Sequence, residues 1–175
     1  MSLVLITAAA LVASGASELS VTLMKEGYKA VQLLPSAAGH LHTSGSLQCR
    51  KVDVLVDTGA SNTVIDIEVA RELGLKLTPI DQRGAGVGEA SVAVNRVAGA
   101  AFSVGGIPIE GDVFTMDLSA IRAALAARGE TAFQAVLGGD TMRKLDAILI
   151  YRENILLLRD GKHRPPAADG NGTIR

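Results

Sequence analysis

The sequence has little of what several common classes of protein require. Its 175 residues include one cysteine, Cys49, no tryptophan, and only 3% aromatic residues. A single cysteine excludes an intramolecular disulfide and a cysteine-based metal cluster. So few aromatic side chains disfavour a base-stacking surface, and a formal net charge of −1 provides no basic footprint. We therefore expect no nucleic-acid partner, and we expect Cys49 to pack as a small core residue on a strand.

Histidine is scarce as well, at His40, His42 and His163. The spacing of His40 and His42 would place two imidazoles on one face of a strand, but no further cluster of ligands accompanies them. We interpret all three histidines as surface residues. The sequence predicts no bound metal and no cofactor.

The N-terminal segment allows two interpretations. Residues 3–13 (LVLITAAALVA) form an uncharged apolar run that is too short to span a bilayer as a helix. Its length and the small residues 13–16 suit a secretory signal, although Met1-Ser2 supplies no positive charge. Residues 1–17 are then either a signal peptide, which would make the protein periplasmic or secreted, or an N-terminal extension of a cytoplasmic protein.

From residue 18 onward, short β-type runs alternate with glycine-rich breaks, which predicts one all-β domain over residues 18–160. Strands are expected at Ser20–Met24 and at Val52–Val56, with a break in the chain at Ser44-Gly45. Residues 161–175 are polar and rich in glycine and proline, which is typical of a disordered tail.

Three short helices interrupt this pattern. The first is expected after Asp66, which is a suitable N-cap, and it ends at Gly74. The second runs from Asp117 to about Arg128. The third follows Asp140, which we expect to cap it.

The stretch Gly84-Ala85-Gly86-Val87-Gly88 is followed by an alternating β-type run. A dinucleotide fingerprint requires a different glycine spacing and a following helix. A hairpin is the better interpretation, because glycine lowers the cost of bending.

The most informative feature is Asp57, which follows the apolar run Val52–Val56 and begins Asp57-Thr58-Gly59. A carboxylate on a tight turn at the end of a strand is placed for chemistry rather than for packing. Hydrolysis of a peptide without a metal or a covalent nucleophile needs an activated water, and two carboxylates that share one proton can activate it. Asp57 supplies half of such a pair.

The chain resembles the retropepsin-like aspartic peptidases, in particular their bacterial single-domain group. The resemblance covers roughly residues 28–158: the turn from Leu55 to Ser61, the helix that ends at Leu73-Gly74-Leu75, the glycine stretch, Ala135–Asp140, and the closing strands from Ile148 to Leu158. It implies a closed acid-protease barrel with short helices and one lobe per chain.

The resemblance also implies roles for individual residues. Asp57 is the catalytic carboxylate, and the residues Thr58, Gly59, Ala60 and Ser61 support the catalytic loop. Residues Gly84, Ala85, Gly86, Val87 and Gly88 form a flap over the substrate, and Leu137 and Gly138 pack behind the loop.

The chain has one Asp-Thr-Gly motif, and the absence of a second copy is best explained by a homodimer. Asp53 and Asp66 flank Asp57 in sequence and would face elsewhere, and Asp140 reads as a helix cap. A two-fold axis would instead bring two copies of Asp57 together. The sequence thus predicts a homodimeric aspartic endopeptidase that acts on polypeptides. The alternative is a catalytically silent module of the same fold that serves binding or dimerisation.

Overall fold

A computed structural model describes residues 17–85 and 91–159. Residues 1–16 of the proposed signal segment, the tail and Gly86, Val87 and Gly88 lie outside the described residues. Among the described residues, no helix has the length and apolar character that crossing a membrane would require.

The described chain consists mainly of strands. They are β1 (Tyr28–Gln32), β2 (Leu34–Pro35), β3 (Leu41–Leu47), β4 (Arg50–Val56), β5 (Val64–Asp66), β6 (Leu77–Ala85), β7 (Ser91–Val97), β8 (Phe102–Val104), β9 (Ile107–Pro108), β10 (Val113–Met116), β11 (Ala135–Leu137), β12 (Ile148–Ile150) and β13 (Ile155–Arg159). The helices are α1 (Glu18–Lys25), α2 (Ile67–Glu72), α3 (Ser119–Ala126) and α4 (Gly139–Lys144), and Tyr151–Glu153 forms a 3₁₀ turn. The expected all-β fold with short helices is confirmed.

Two sheets organise these strands. The larger sheet follows the order β6-β7-β10-β5-β11-β4-β3-β8-β9, with β2 paired to β3, and the smaller one has the order β1-β13-β12. Among the described residues the larger sheet is an open path, in which no pair of strands closes the expected barrel. Strand β11 lies between β4 and β5, parallel to the first and antiparallel to the second. The turn that begins at Asp57 therefore leaves the sheet at its centre.

The hydrophobic core lies under this central region. Val54, Ile65 and Leu137, one from each of the three central strands, are fully buried. The smaller sheet adds Leu156 and Leu158 to the same cluster. The turn after β4 is consequently held by strands that cannot shift without opening the core.

The expected strand at Ser20–Met24 is wrong, because this segment lies in helix α1. The Ser17 hydroxyl caps the helix by accepting from the Ser20 N–H at 3.3 Å. The Ser17 N–H and the Ser20 hydroxyl also donate to Glu153, at 3.2 and 2.7 Å. A cap and a tertiary anchor together override the β-type composition of the segment.

The expected break at Ser44-Gly45 is also wrong. Strand β3 runs through Gly45, where an added Cβ would lie 2.7 Å from a Val54 methyl group and 2.9 Å from the Ser103 oxygen. Gly45 therefore permits close packing rather than a turn. The turn is at Gln48 and Cys49, which have φ values of 48° and 67°. Cys49 is exposed there, so the prediction that it packs in the core is wrong.

Candidate active site

Asp57 follows directly after β4, and its own turn holds its carboxylate. Its N–H donates to the Leu137 oxygen at 3.1 Å, and its carbonyl accepts from the Ala60 N–H at 3.2 Å. The Gly59 N–H donates to Asp57 Oδ1 at 2.8 Å. Asp57, Thr58 and Gly59 are exposed in the single chain. The carboxylate is thus fixed by backbone groups and open on its outer side.

Leu137 and Gly138 lie behind this turn, where the resemblance places them. Leu137 is fully buried. A Cβ atom added at Gly138 would lie 2.4 Å from the Asn62 oxygen, which no side chain can tolerate without movement of the backbone. The next residue, Gly139, donates to the Ala60 oxygen at 2.8 Å. Close contact between backbones therefore requires glycine at position 138.

Thr63, which the sequence did not single out, links the turn to helix α4. Its Oγ1 accepts from the Gly138 N–H at 3.0 Å and lies 2.9 Å from Asp140 Oδ1 and 2.7 Å from Thr141 Oγ1. The side chain is buried. The local signal for it was weak, because a threonine that follows a turn usually reads as a strand former.

Asp140 is not the helix cap that the sequence suggested. Helix α4 begins two residues earlier than expected, and Gly138 occupies the N-cap position with an extended backbone. The Asp140 carboxylate instead contacts Thr63 and accepts from the Thr141 N–H at 2.7 Å. Asp66 does cap α2, as predicted, by accepting from the Glu68 N–H at 2.9 Å.

A cavity of about 710 Å³ opens beside Asp57. Its wall includes all of the predicted catalytic-loop residues, from Asp57 to Ser61. Most of the remaining wall is apolar, with Phe114, Met116 and Ile121 among the side chains. A cleft of this size with one carboxylate at its edge suits an extended apolar ligand that carries a polar backbone.

The strands expected around the glycine stretch are present. Strands β6 and β7 pair from Leu77 opposite Val97 to Ala85 opposite Ser91, with an irregularity between Pro79 and Arg83. Val94, in the second strand, lines the cavity. Gly84 and Ala85 lie at the end of β6, next to the residues outside the description.

The other acidic residues near Asp57 in sequence have partners elsewhere. Asp66 is buried and forms an ion pair with Arg122. Asp53 Oδ1 lies 2.5 Å from His42 Nδ1. Among the described residues, Asp57 is the only one lining the cavity with a carboxylate side chain.

The interpretation of the histidines as surface residues is wrong for His42. Its imidazole is buried, with Nδ1 against Asp53 and Nε2 against Glu130 Oε1 at 2.8 Å. His40 Nδ1 contacts the other oxygen of Glu130, Oε2. His40 directly precedes β3, and both imidazoles contact one buried carboxylate from the segment after α3. Among the described residues there is no cluster suited to holding a metal ion.

Glu130 is the centre of this cluster, and we name His40, His42, Asp53 and Glu130 the histidine–carboxylate cluster. Burial raises the pKa of Glu130 and is the largest single effect. Hydrogen bonds from the Thr131 N–H, the Ser36 hydroxyl and the two imidazoles outweigh it together and hold the pKa at about 2. Glu130 is therefore anionic throughout the mildly acidic range.

Comparisons with known proteins identify the family of the chain. The family model described as aspartyl protease matches residues 43–141, which is more than half of the chain. The chain therefore belongs to the aspartyl protease family, and the expected resemblance to the retropepsin-like group is confirmed. The comparison with curated proteins gave no match.

Solved structures with a similar fold include three proteases or protease-like domains. A retropepsin-like aspartic protease from Rickettsia conorii is 19% identical, with a TM-score of 0.49, and the match covers 75% of this chain and 89% of that one. The retroviral protease-like domain of Ddi1 from Leishmania major is 16% identical, with a TM-score of 0.48 and coverage of 71% and 89%. EIAV protease in complex with the inhibitor HBY-793 is 19% identical, with a TM-score of 0.44 and coverage of 62% and 90%. These similarities are low, and the family assignment rests on the family model.

Proposed function

We propose that this protein is an aspartic endopeptidase that works as a homodimer, with residues 18–160 as the peptidase domain. The observation that carries the proposal is the position of Asp57. It is exposed and lines a cavity of about 710 Å³, and no other described residue that lines the cavity carries a carboxylate. A two-fold axis near Asp57 would supply the second carboxylate from an identical chain.

The dyad would act on a water molecule held between the two Asp57 side chains. Like charges at such a separation cannot both ionise cheaply, so the pair shares one proton. The ionised carboxylate takes a proton from the water, and the protonated one donates a hydrogen bond to the substrate carbonyl. The apparent pKa values then belong to the pair rather than to either residue.

The surrounding residues have supporting roles in this proposal. The Gly59 N–H, 2.8 Å from Asp57 Oδ1, stabilises the charged carboxylate. Thr58 would hydrogen-bond across the axis to the partner's loop, and Ala60 and Ser61 would border the substrate. The paired strands β6 and β7, together with the flap residues predicted at Gly84 to Gly88, would cover the substrate and exclude water.

The smaller sheet offers an edge at which a second copy could dock. Strand β12 is its outer strand, and Ile148, Leu149 and Ile150 are half-buried along that edge. Exposed apolar edge strands are a common route to pairing between chains. Tyr151 follows this strand, is 67% exposed, and lines the same cavity as Asp57. The apolar edge therefore lies close to the catalytic turn, which is where the axis must pass.

The first test is hydrolysis of an unstructured polypeptide such as reduced casein at mildly acidic pH. Wild-type protein should cleave it, and Asp57→Asn should reduce the rate by at least a thousandfold, because an amide cannot act as the base. Asp112→Asn is a matched control, since Asp112 is half-exposed and pairs with Arg96 on the surface. Equal rates for the wild type and Asp57→Asn would refute the peptidase and favour a silent binding module.

The second test is activity per chain over dilution. Sedimentation or light scattering would give the fraction of dimer at each concentration. A shared dyad requires activity to follow that fraction, whereas constant specific activity in a fully monomeric sample would exclude the shared dyad.

A further inference from the structure

His40 has a position that the proposed reaction does not use. It lines the same cavity as Asp57, and its side chain is 42% exposed. Among the described residues that line the cavity, it is the only one that can carry a positive charge. An apolar cleft with one basic group at its border discriminates between ligands by charge.

The orientation of the His40 imidazole is fixed by a buried carboxylate. His40 Nδ1 contacts Glu130 Oε2, and the Glu130 side chain is only 1% exposed. The backbone is held as well, because the His40 N–H donates to the Ser36 hydroxyl at 3.1 Å and that hydroxyl donates to Glu130 at 2.9 Å. Because Nδ1 is engaged, Nε2 is the ring nitrogen left for a ligand. Among the described residues, Nε2 has no hydrogen-bond partner.

His40 shares the buried Glu130 carboxylate with His42. Glu130 contacts both His40 and His42, and His42 also contacts Asp53. The cluster therefore has two imidazoles and two carboxylates. His42 has a carboxylate at each ring nitrogen, which only the imidazolium form satisfies with two N–H donors. A protonated His40 likewise donates through Nδ1 to Glu130 and presents a charged N–H through Nε2.

We propose that His40 is a specificity-determining residue that selects peptides with an acidic side chain, glutamate or aspartate, at the subsite it borders. Glu130 is the positioning residue that orients the imidazole. The proposal rests on the proposed peptidase function, because it assigns that cavity to peptide substrate. A charge-assisted hydrogen bond across a partly desolvated cleft gives a preference of about tenfold over the matching amide.

The kinetic test uses the full chain and two degenerate peptide pools that differ only in carrying Glu or Gln at one fixed position, scanned on both sides of the cleaved bond. At one position the wild type should show kcat/KM about tenfold higher for Glu than for Gln at mildly acidic pH. His40→Gln should bring the ratio to about one. His40→Arg should restore the preference for Glu, which a merely structural role for His40 would not do.

A binding test separates this proposal from the peptidase proposal. The Asp57→Asn variant is mixed with equimolar Glu and Gln pools, and retained peptides are identified by mass spectrometry after ultrafiltration. Enrichment of Glu peptides that disappears in Asp57→Asn/His40→Gln supports the selection even if the wild type cleaves nothing. Equal retention of both pools, no retention at all, or enrichment that survives His40→Gln overturns it.

Discussion

Replacement of Glu130 by glutamine should remove an acid-dependent part of the stability. The substitution keeps the size of the side chain and one of its two acceptor oxygens but removes its charge. In the wild type, the folded pKa of about 2 lies below the ordinary value of 4.5. A carboxyl group whose pKa is lowered on folding stabilises the protein above its unfolded pKa, and this contribution is lost as pH falls through the folded pKa.

The size of the effect follows from those two values. The interval between 4.5 and about 2 corresponds to about 3 kcal/mol at 1.36 kcal/mol per pH unit. The wild type should therefore exceed Glu130→Gln by up to about 3 kcal/mol in free energy of unfolding near pH 6. The difference should narrow below pH 4.5 and approach zero near pH 2.

Urea unfolding followed by circular dichroism at several pH values would measure this difference, at one fixed protein concentration so that association contributes equally. Glu68→Gln is the matched control. Glu68 is 62% exposed and pairs with Arg71 at 2.6 Å on the surface of α2. Its replacement should cost less than about 0.5 kcal/mol. A Glu130→Gln difference that stays constant from pH 6 to pH 2 would refute the reasoning, because the loss would then come from packing rather than from charge.

Three further substitutions test the support of the site and the core. Gly138→Ala should abolish activity and lower the melting temperature, since the new methyl group would lie 2.4 Å from a backbone oxygen; retained activity and stability would contradict that contact. Arg122→Ala should destabilise the protein by about 2 kcal/mol, because it leaves the buried Asp66 carboxylate without its ion pair, and urea unfolding would measure the loss. Leu156→Ala should lower the free energy of unfolding by about 3 kcal/mol in the same assay. Leu19→Ala, at a position 57% exposed, should lower it little. Equal losses for the two variants would contradict the placement of Leu156 in the core.

Much of the fold could be predicted from the sequence because the signals were local. The apolar alternation over Val52–Val56 predicted strand β4, and Asp66 marked the start of α2. These features depend on residues within one turn or one strand of each other. Helix α1 was not predicted, because the β-type composition of Ser20–Met24 indicated a strand and the Ser17 cap was not recognised.

Other features could not be predicted, because they depend on contacts between distant parts of the chain. Gly45 looked like a break, yet it is a point of close approach between β3, a Val54 side chain and the backbone of β8. His42 looked like a surface residue because Glu130, which pairs with it, lies 88 residues further along the chain. No local sequence pattern predicts such a partner.

The sequence by itself determined the acidic turn. Asp57, Thr58 and Gly59 fix a carboxylate at the end of a strand through short-range backbone hydrogen bonds, which few other residue combinations allow. Only the tertiary structure decided what surrounds that carboxylate. It paired Asp53, Asp66 and Asp140 elsewhere and set His40 against a buried Glu130 beside the same cavity. The reason is physical: hydrogen bonds within a turn depend on neighbouring residues, whereas burial and charge pairing depend on which distant segments the fold brings together.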